Sequence, residues 1–121
     1  MTESVPTLTT VAYRSHLALT AATGGELSPI AFLAFGTGTR AYSPDEDAAL
    51  QAEAVRLPAT ATATGPEVTA SALLPGTAIA GLAITEVGAF TESGVLVVRK
   101  TIPPIELASY GEMDFDIVFE Y

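Results

Sequence analysis

The stretch Glu112-Met113-Asp114-Phe115-Asp116-Ile117-Val118-Phe119-Glu120-Tyr121 alternates with a period of two. Met113, Phe115, Ile117, Phe119 and Tyr121 point one way, and Glu112, Asp114, Asp116, Val118 and Glu120 the other. Side chains of a β-strand alternate between its faces, so this segment reads as a strand with one face on a core. The opposite, acidic face meets water or another chain. An antiparallel sheet is the framework this strand requires.

Working back along the chain, two runs form a hairpin. Leu82 to Phe90 and Val95 to Ile102 are strands joined by the turn Glu92-Ser93-Gly94. Pro103-Pro104 is expected to close the second strand, because proline cannot donate to a sheet ladder. Further upstream, Ala59 to Thr64 alternates Ala and Thr, giving a strand with a small apolar face and a hydroxyl face. Gly65-Pro66 turns the chain, Val68 to Leu74 returns, and Pro75-Gly76 turns it again. Ile30 to Phe35 is apolar throughout and short, which suits a strand buried on both faces.

Two helices are expected before the strands take over near Val55. Thr7 to Ala22 places Leu8, Val11, Ser15, Leu19 and Ala22 on one face, extended by Ala12. Pro6 precedes it and Gly24-Gly25 stops it. Ser43-Pro44-Asp45-Glu46 predicts the start of a short second helix. Ser43 is its cap, Pro44 its first residue and Glu46 the reciprocal side chain, and the helix runs through Ala48, Ala49 and Leu50 to about Ala54. The fold class is therefore α+β: an N-terminal helix and one short helix, then a mainly antiparallel β-sheet or sandwich.

Composition bounds the function classes. At 121 residues the chain fits one domain, 1–121. Its 49% hydrophobic and 16% charged residues describe a globular protein. No cysteine is present, so disulfides and thiolate metal sites are excluded. The net charge of -9, from 14 acids and 5 bases, opposes nucleic-acid binding, which depends on cations neutralising phosphates. It opposes anionic membranes too, and suits a basic partner. The N-terminus has no basic region followed by an apolar run, so no signal peptide is read there. Val68 to Thr85 lacks charge and is about long enough to span a bilayer. Pro75-Gly76 at its middle and Glu67 and Glu86 at its ends favour two strands and a turn instead.

Candidates for chemistry are few. His16, the one histidine, sits in the first helix beside Arg14 and Leu17, where a solvated or packed residue is the plainer reading than a general base. No nucleophile-elbow sequence accompanies it, so no catalytic residue and no enzyme is expected. Asp45-Glu46-Asp47 could hold a divalent ion, but acids in a helix's first turn complement its dipole. Gly36-Thr37-Gly38 resembles half of a phosphate loop without its lysine. Glu112, Asp114 and Asp116 recur about 7 Å apart on one strand face. Metal binding there competes with cross-strand pairing to Arg99 or Lys100, plain solvation, or an acidic docking strip for a basic neighbour. The docking strip is taken as Glu112, Asp114, Asp116 and Glu120; no metal or cofactor is assigned.

Several stretches resemble one family. Thr7–Thr20 followed by Ile30-Ala31-Phe32-Leu33-Ala34-Phe35-Gly36-Thr37-Gly38 is similar to the start of phage tail-collar fibre proteins, where a helix leads to an apolar strand and a "GxG" turn. Ser43-Pro44 through Leu50-Gln51-Ala52-Glu53 resembles the family's proline-started helix. Ile84-Thr85-Glu86-Val87-Gly88-Ala89-Phe90 with Gly94-Val95-Leu96-Val97 is similar to its "I-x-E-I-G-L-F-D-x-x-G-x-L" hairpin. Ala89 and Thr91 depart from the family's Leu and Asp. Pro103-Pro104-Ile105 and the alternating last strand match the closing segment. The resemblance covers nearly the whole chain.

What the resemblance implies is a structural virion protein, assembled in the host bacterial cytoplasm, whose domain attaches a tail fibre to the baseplate. Its partners would be other phage tail proteins, baseplate and fibre, and its form a homotrimer; neither nucleic acid nor membrane is a partner. Without a shaft or receptor-binding tip, a stand-alone adaptor is expected rather than a fragment. The alternative from another class is a small β-sandwich binding module for carbohydrate or a divalent ion. The absence of Trp weighs against it, since sugar sites use exposed aromatic platforms.

Overall fold

The computed structural model describes residues 8–120. Expectations resting on Pro6, Thr7 and Tyr121 lie outside the described residues. The chain runs α1 (Val11–Thr23), β1 (Ile30–Gly36), β2 (Glu53–Pro58), β3 (Thr60–Thr64), β4 (Glu67–Pro75), β5 (Ile84–Thr91), β6 (Leu96–Ile105) and β7 (Glu112–Glu120), with a 3-10 turn at Gly76–Ala78. Two antiparallel sheets form, β2-β1-β5-β6 and β3-β4-β7. This is the expected α+β fold in its sandwich form.

The main core lies between the sheets. Leu33 and Phe35 of β1, Val87 and Ala89 of β5, and Val97 of β6 meet Val68, Ala70, Ala72 and Leu74 of β4 and Ile117 and Phe119 of β7. Phe35 contacts Phe115 edge to face, with ring centroids 5.3 Å apart. That geometry sets the positive ring edge against the negative ring face. The period-two reading of β7 holds: Ile117 and Phe119 are buried, while Glu112, Asp114, Asp116 and Val118 are exposed.

The four-stranded sheet is covered on its other side as well. Ala34, Phe90 and Leu96 gather there under Leu50, which comes from the long β1–β2 connection. This is why β1 reads as apolar without alternation. Gly88 gives Leu50 its room, since a Cβ at that position would lie 2.7 Å from the Leu50 Cδ2.

Several local expectations are corrected. The second helix does not form: after Ser43 the chain makes one turn, with Glu46 N and Asp47 N both donating to Ser43 O. The side chain that reaches back to Ser43 N is Asp47, not Glu46. Helix continuation is prevented because Gln51 N and Ala52 N donate to the Glu86 carboxylate. The expected apolar face of α1 is also turned outward, leaving Leu8 and Leu19 55% and 63% exposed. Thr10 sets that rotation. It caps the helix by accepting from Tyr13 N, and it pins the helix to β6 through Thr10 N to Val97 O and Thr10 Oγ1 to Leu96 O. Tyr13 is then the buried residue of α1, with Leu17 partly covered.

The segment after Val55 is two strands in different sheets, the chain changing sheets at Ala59, whose N–H bonds Ala31 O. Pro103 and Pro104 lie within β6 rather than ending it. They are tolerated because β6 is an edge strand and its register with β5 shifts between Ile84 and Glu86, which leaves Pro103 and Pro104 outside the paired ladder. Val68 to Thr85 comprises most of β4, the 3-10 turn and the start of β5. Among the described residues no helix is long and apolar enough to cross a membrane.

Truncating Phe35 to alanine removes a fully buried ring at the centre of the sandwich. Urea titration should show a loss of about 3–5 kcal/mol. Phe115→Ala, at a half-buried position, should cost clearly less. Equal losses would refute this placement of the core.

Candidate docking face

The charged residues divide into a sealed set and an open one. The sealed set sits under the β1–β2 connection. Arg99 on β6 and Glu86 on β5 are both fully buried, with Arg99 Nε donating to Glu86 Oε1 at 2.8 Å. Glu86 also accepts from Gly38 N at 2.8 Å, Gln51 N at 2.9 Å and Ala52 N at 2.7 Å. Asp47, 5% exposed, lies 3.5 Å from Arg99 Nη1 and 2.7 Å from the half-exposed Arg40 Nη2. Burial opposes the charged form of Glu86, but the hydrogen bonds from Arg99 and the three amides outweigh it, so its pKa falls below the ordinary value. Asp47 is lowered in the same way: burial is overcome by Ser43 N–H, Arg40 and Arg99. Tyr42 beside it is pushed up to about 12 by burial and by the Asp47 charge.

This arrangement places the earlier candidates. Gly36-Thr37-Gly38 does cradle an anion, but the anion is the chain's own Glu86 carboxylate. A Cβ on Gly36 would come 2.6 Å from Glu86 Oε2, so the approach requires glycine there. Asp45-Glu46-Asp47 is split, with Asp45 and Glu46 exposed and Asp47 drawn inside. His16 is half-buried on α1, and its Nε2 has no hydrogen-bond partner among the described residues. Pairing of the acidic strip with Arg99 or Lys100 is overturned: β7 pairs with β4, whereas both cations lie on β6 in the other sheet. The Glu86–Arg99 pair was missed, although a lone charge inside apolar β5 was its signal.

The open set is the outer face of β3-β4-β7. Register places Thr60, Ser71 and Asp116 in one cross-strand row, Thr62, Thr69 and Val118 in the next, and Thr64, Glu67 and Glu120 in a third. Asp114 faces Leu73, and Glu112 faces Pro75. All four residues of the expected strip, Glu112, Asp114, Asp116 and Glu120, thus share one face with the hydroxyls of β3 and β4. None of the five basic residues of the chain lies in these strands. Glu67 opposite Glu120 is a like-charge pair, which strand pairing disfavours. Leu73 and Val118 add apolar surface, 48% and 40% exposed. A hollow of about 500 Å³ opens beside Asp114 and Asp116, walled by Pro58, Ala59, Thr60, Ser71 and Leu73. Among the described residues no three His, Asp or Glu side chains come together as a metal site.

No protein-family model matches this chain, and no curated protein or solved structure is significantly similar to it.

Glu86→Ala strands Arg99 and three backbone amides without their acceptor. The expected loss is about 3–5 kcal/mol, as for a broken buried pair, read by chemical denaturation. Both buried carboxyls have lowered folded-state pKa values, so the unfolded chain binds more protons on acidification. Their stabilisation is complete above the unfolded carboxylate range, about pH 4, and is lost as pH falls through the folded values. Asp47→Asn should make that acid loss shallower; an unchanged acid profile would show that Asp47 carries none of it.

Proposed function

We propose that this protein is a structural, non-catalytic component of a bacteriophage tail, or of a prophage-derived or injection-system tail, which connects a tail fibre to the baseplate. The observation that carries this reading is the outer face of β3-β4-β7. It gathers five carboxylates, those of the strip and Glu67, and a set of hydroxyls with no basic residue among its strands. Such a face suits a neighbouring subunit that brings positive charge, because complementary charge steers association and fixes register. The similarity of the Ile84–Phe90 hairpin, the Gly36–Gly38 turn and the closing strand to tail-collar fibre proteins supplies the kind of assembly. The sealed position of Glu86, Arg99 and Asp47 supports a structural role for these charges, since none is open to a substrate.

On this reading the protein acts as a homotrimeric adaptor between baseplate and fibre. Light scattering should give a mass three times that of the 12.4 kDa chain. A strict monomer at high concentration that binds Ca²⁺ or a sugar would instead support a small binding module. Deleting the gene from the tail-bearing element that carries it should yield tails without fibres in electron micrographs. Complementation with Asp114→Lys should restore a folded protein, by circular dichroism and thermal melting, but not the fibres. Fully fibred tails in the deletion would overturn the proposal, and fibred tails with Asp114→Lys would remove the acidic face from it.

A further inference from the structure

The edge of β7 turned away from β4 has no strand beside it among the described residues. The sheet edges differ in how they are protected. β6 carries Pro103 and Pro104, and its pairing with β5 is broken by register shifts. β2 pairs with β1 through another irregularity, and β3 has only five residues. β7 is different: it spans nine residues, contains no proline, and keeps unbroken register with β4 from Glu112 to Glu120. A long, regular edge offers a row of backbone donors and acceptors to an incoming strand.

Charge decides which strand can use it. Along the part from Glu112 to Asp116, alternate side chains on the outer face are acidic. A second copy of this chain is a poor occupant. Its net charge is -9, Arg99 is buried, and Arg40 and Arg56 are engaged by Asp47 and Glu53. Its strands contain no alternating cations.

We infer that an extended segment of a different chain, with Lys or Arg at alternate positions, adds beside β7 as a fourth strand of this sheet. Its backbone completes the edge between Glu112 and Asp116. Its cations lie across Glu112, Asp114 and Asp116, where cross-strand pairs of opposite charge attract. Main-chain bonds supply the affinity and alternate side chains the selectivity, as in other strand additions. This inference rests on reading the outer face as a docking surface and names what docks there.

The probe is a nine-residue capped peptide, matched to the length of β7, with Lys alternating with Val. It is titrated into the full chain and followed by amide NMR and hydrogen exchange. Binding should protect amides within 112–116, weaken as salt is raised, and fall about tenfold or more with Asp114→Lys. Replacing the valines by proline, or the lysines by glutamate, should abolish it. Equal binding of the proline peptide would mean charge contact without strand addition and would overturn the inference. So would no binding, which would leave the acids as guards of the edge, or protection of 112–116 by self-association alone. If Asp114→Lys strips fibres from particles while the lysine peptide adds no strand, strand addition fails and the docking face stands. If particles tolerate Asp114→Lys while the peptide pairs with β7, the assembly role of the face fails instead.

Discussion

The fully buried Glu86–Arg99 pair constrains the structure more than any other contact. Two charges without solvent are costly unless each is saturated with partners. Glu86 meets that condition by accepting four hydrogen bonds, three from backbone amides in the β1–β2 connection. Arg99 meets it incompletely, with Asp47 at 3.5 Å and Nη2 without a partner among the described residues. The connection therefore cannot drift or coil independently. Gly38, Gln51 and Ala52 must stay where the carboxylate is, and Leu50 between them is held against Gly88.

From this constraint follows the asymmetry of the sandwich. The β2-β1-β5-β6 sheet is covered on one side by the other sheet and on the other by the anchored connection. Its strands accordingly have apolar residues in succession, as in Leu33-Ala34-Phe35 and Leu96-Val97-Val98. The β3-β4-β7 sheet has no such cover among the described residues, and β4 and β7 alternate buried with more exposed residues instead. Two sequence textures, continuous and alternating, record two different degrees of enclosure. The outer face of the second sheet is thus left open for contact.

How much of this was legible depends on whether the deciding interaction is local. The strands of the second sheet were readable because alternation is set by one strand and one core face, and β7 alternates as expected from Glu112 to Glu120. The acidic strip followed from the same alternation. What failed was decided at long range. Ser43-Pro44-Asp45-Glu46 has every local feature of a helix start, yet Glu86, 35 residues beyond Gln51, takes the amides. The rotation of α1 was set by Thr10 reaching β6, 86 residues from its hydrogen-bond partner Leu96. No periodicity within the helix contains that information. The assignment of Arg99 to the acidic strip failed for the same reason, since sequence distance does not reveal which sheet a strand joins.

The division of charge has a further consequence. Three of the five cations, Arg40, Arg56 and Arg99, are engaged by Asp47, Glu53 and Glu86. The outer sheet face is therefore not neutralised from within, and its like charges raise the cost of one copy laying this face against another. A neutral face with the same free edge would invite its own kind, and natural sheets commonly guard edges with charge for that reason. Acids serve such a guard as well as lysines do against self-pairing, but they differ in whom they admit. A row of carboxylates repels an identical chain and attracts a basic one, so on the proposed docking reading one set of residues supplies both exclusion and choice of partner. That dual effect depends on no cation lying in β3, β4 or β7, and Arg99 is kept from that face by its pair with Glu86, buried on the far side of the other sheet.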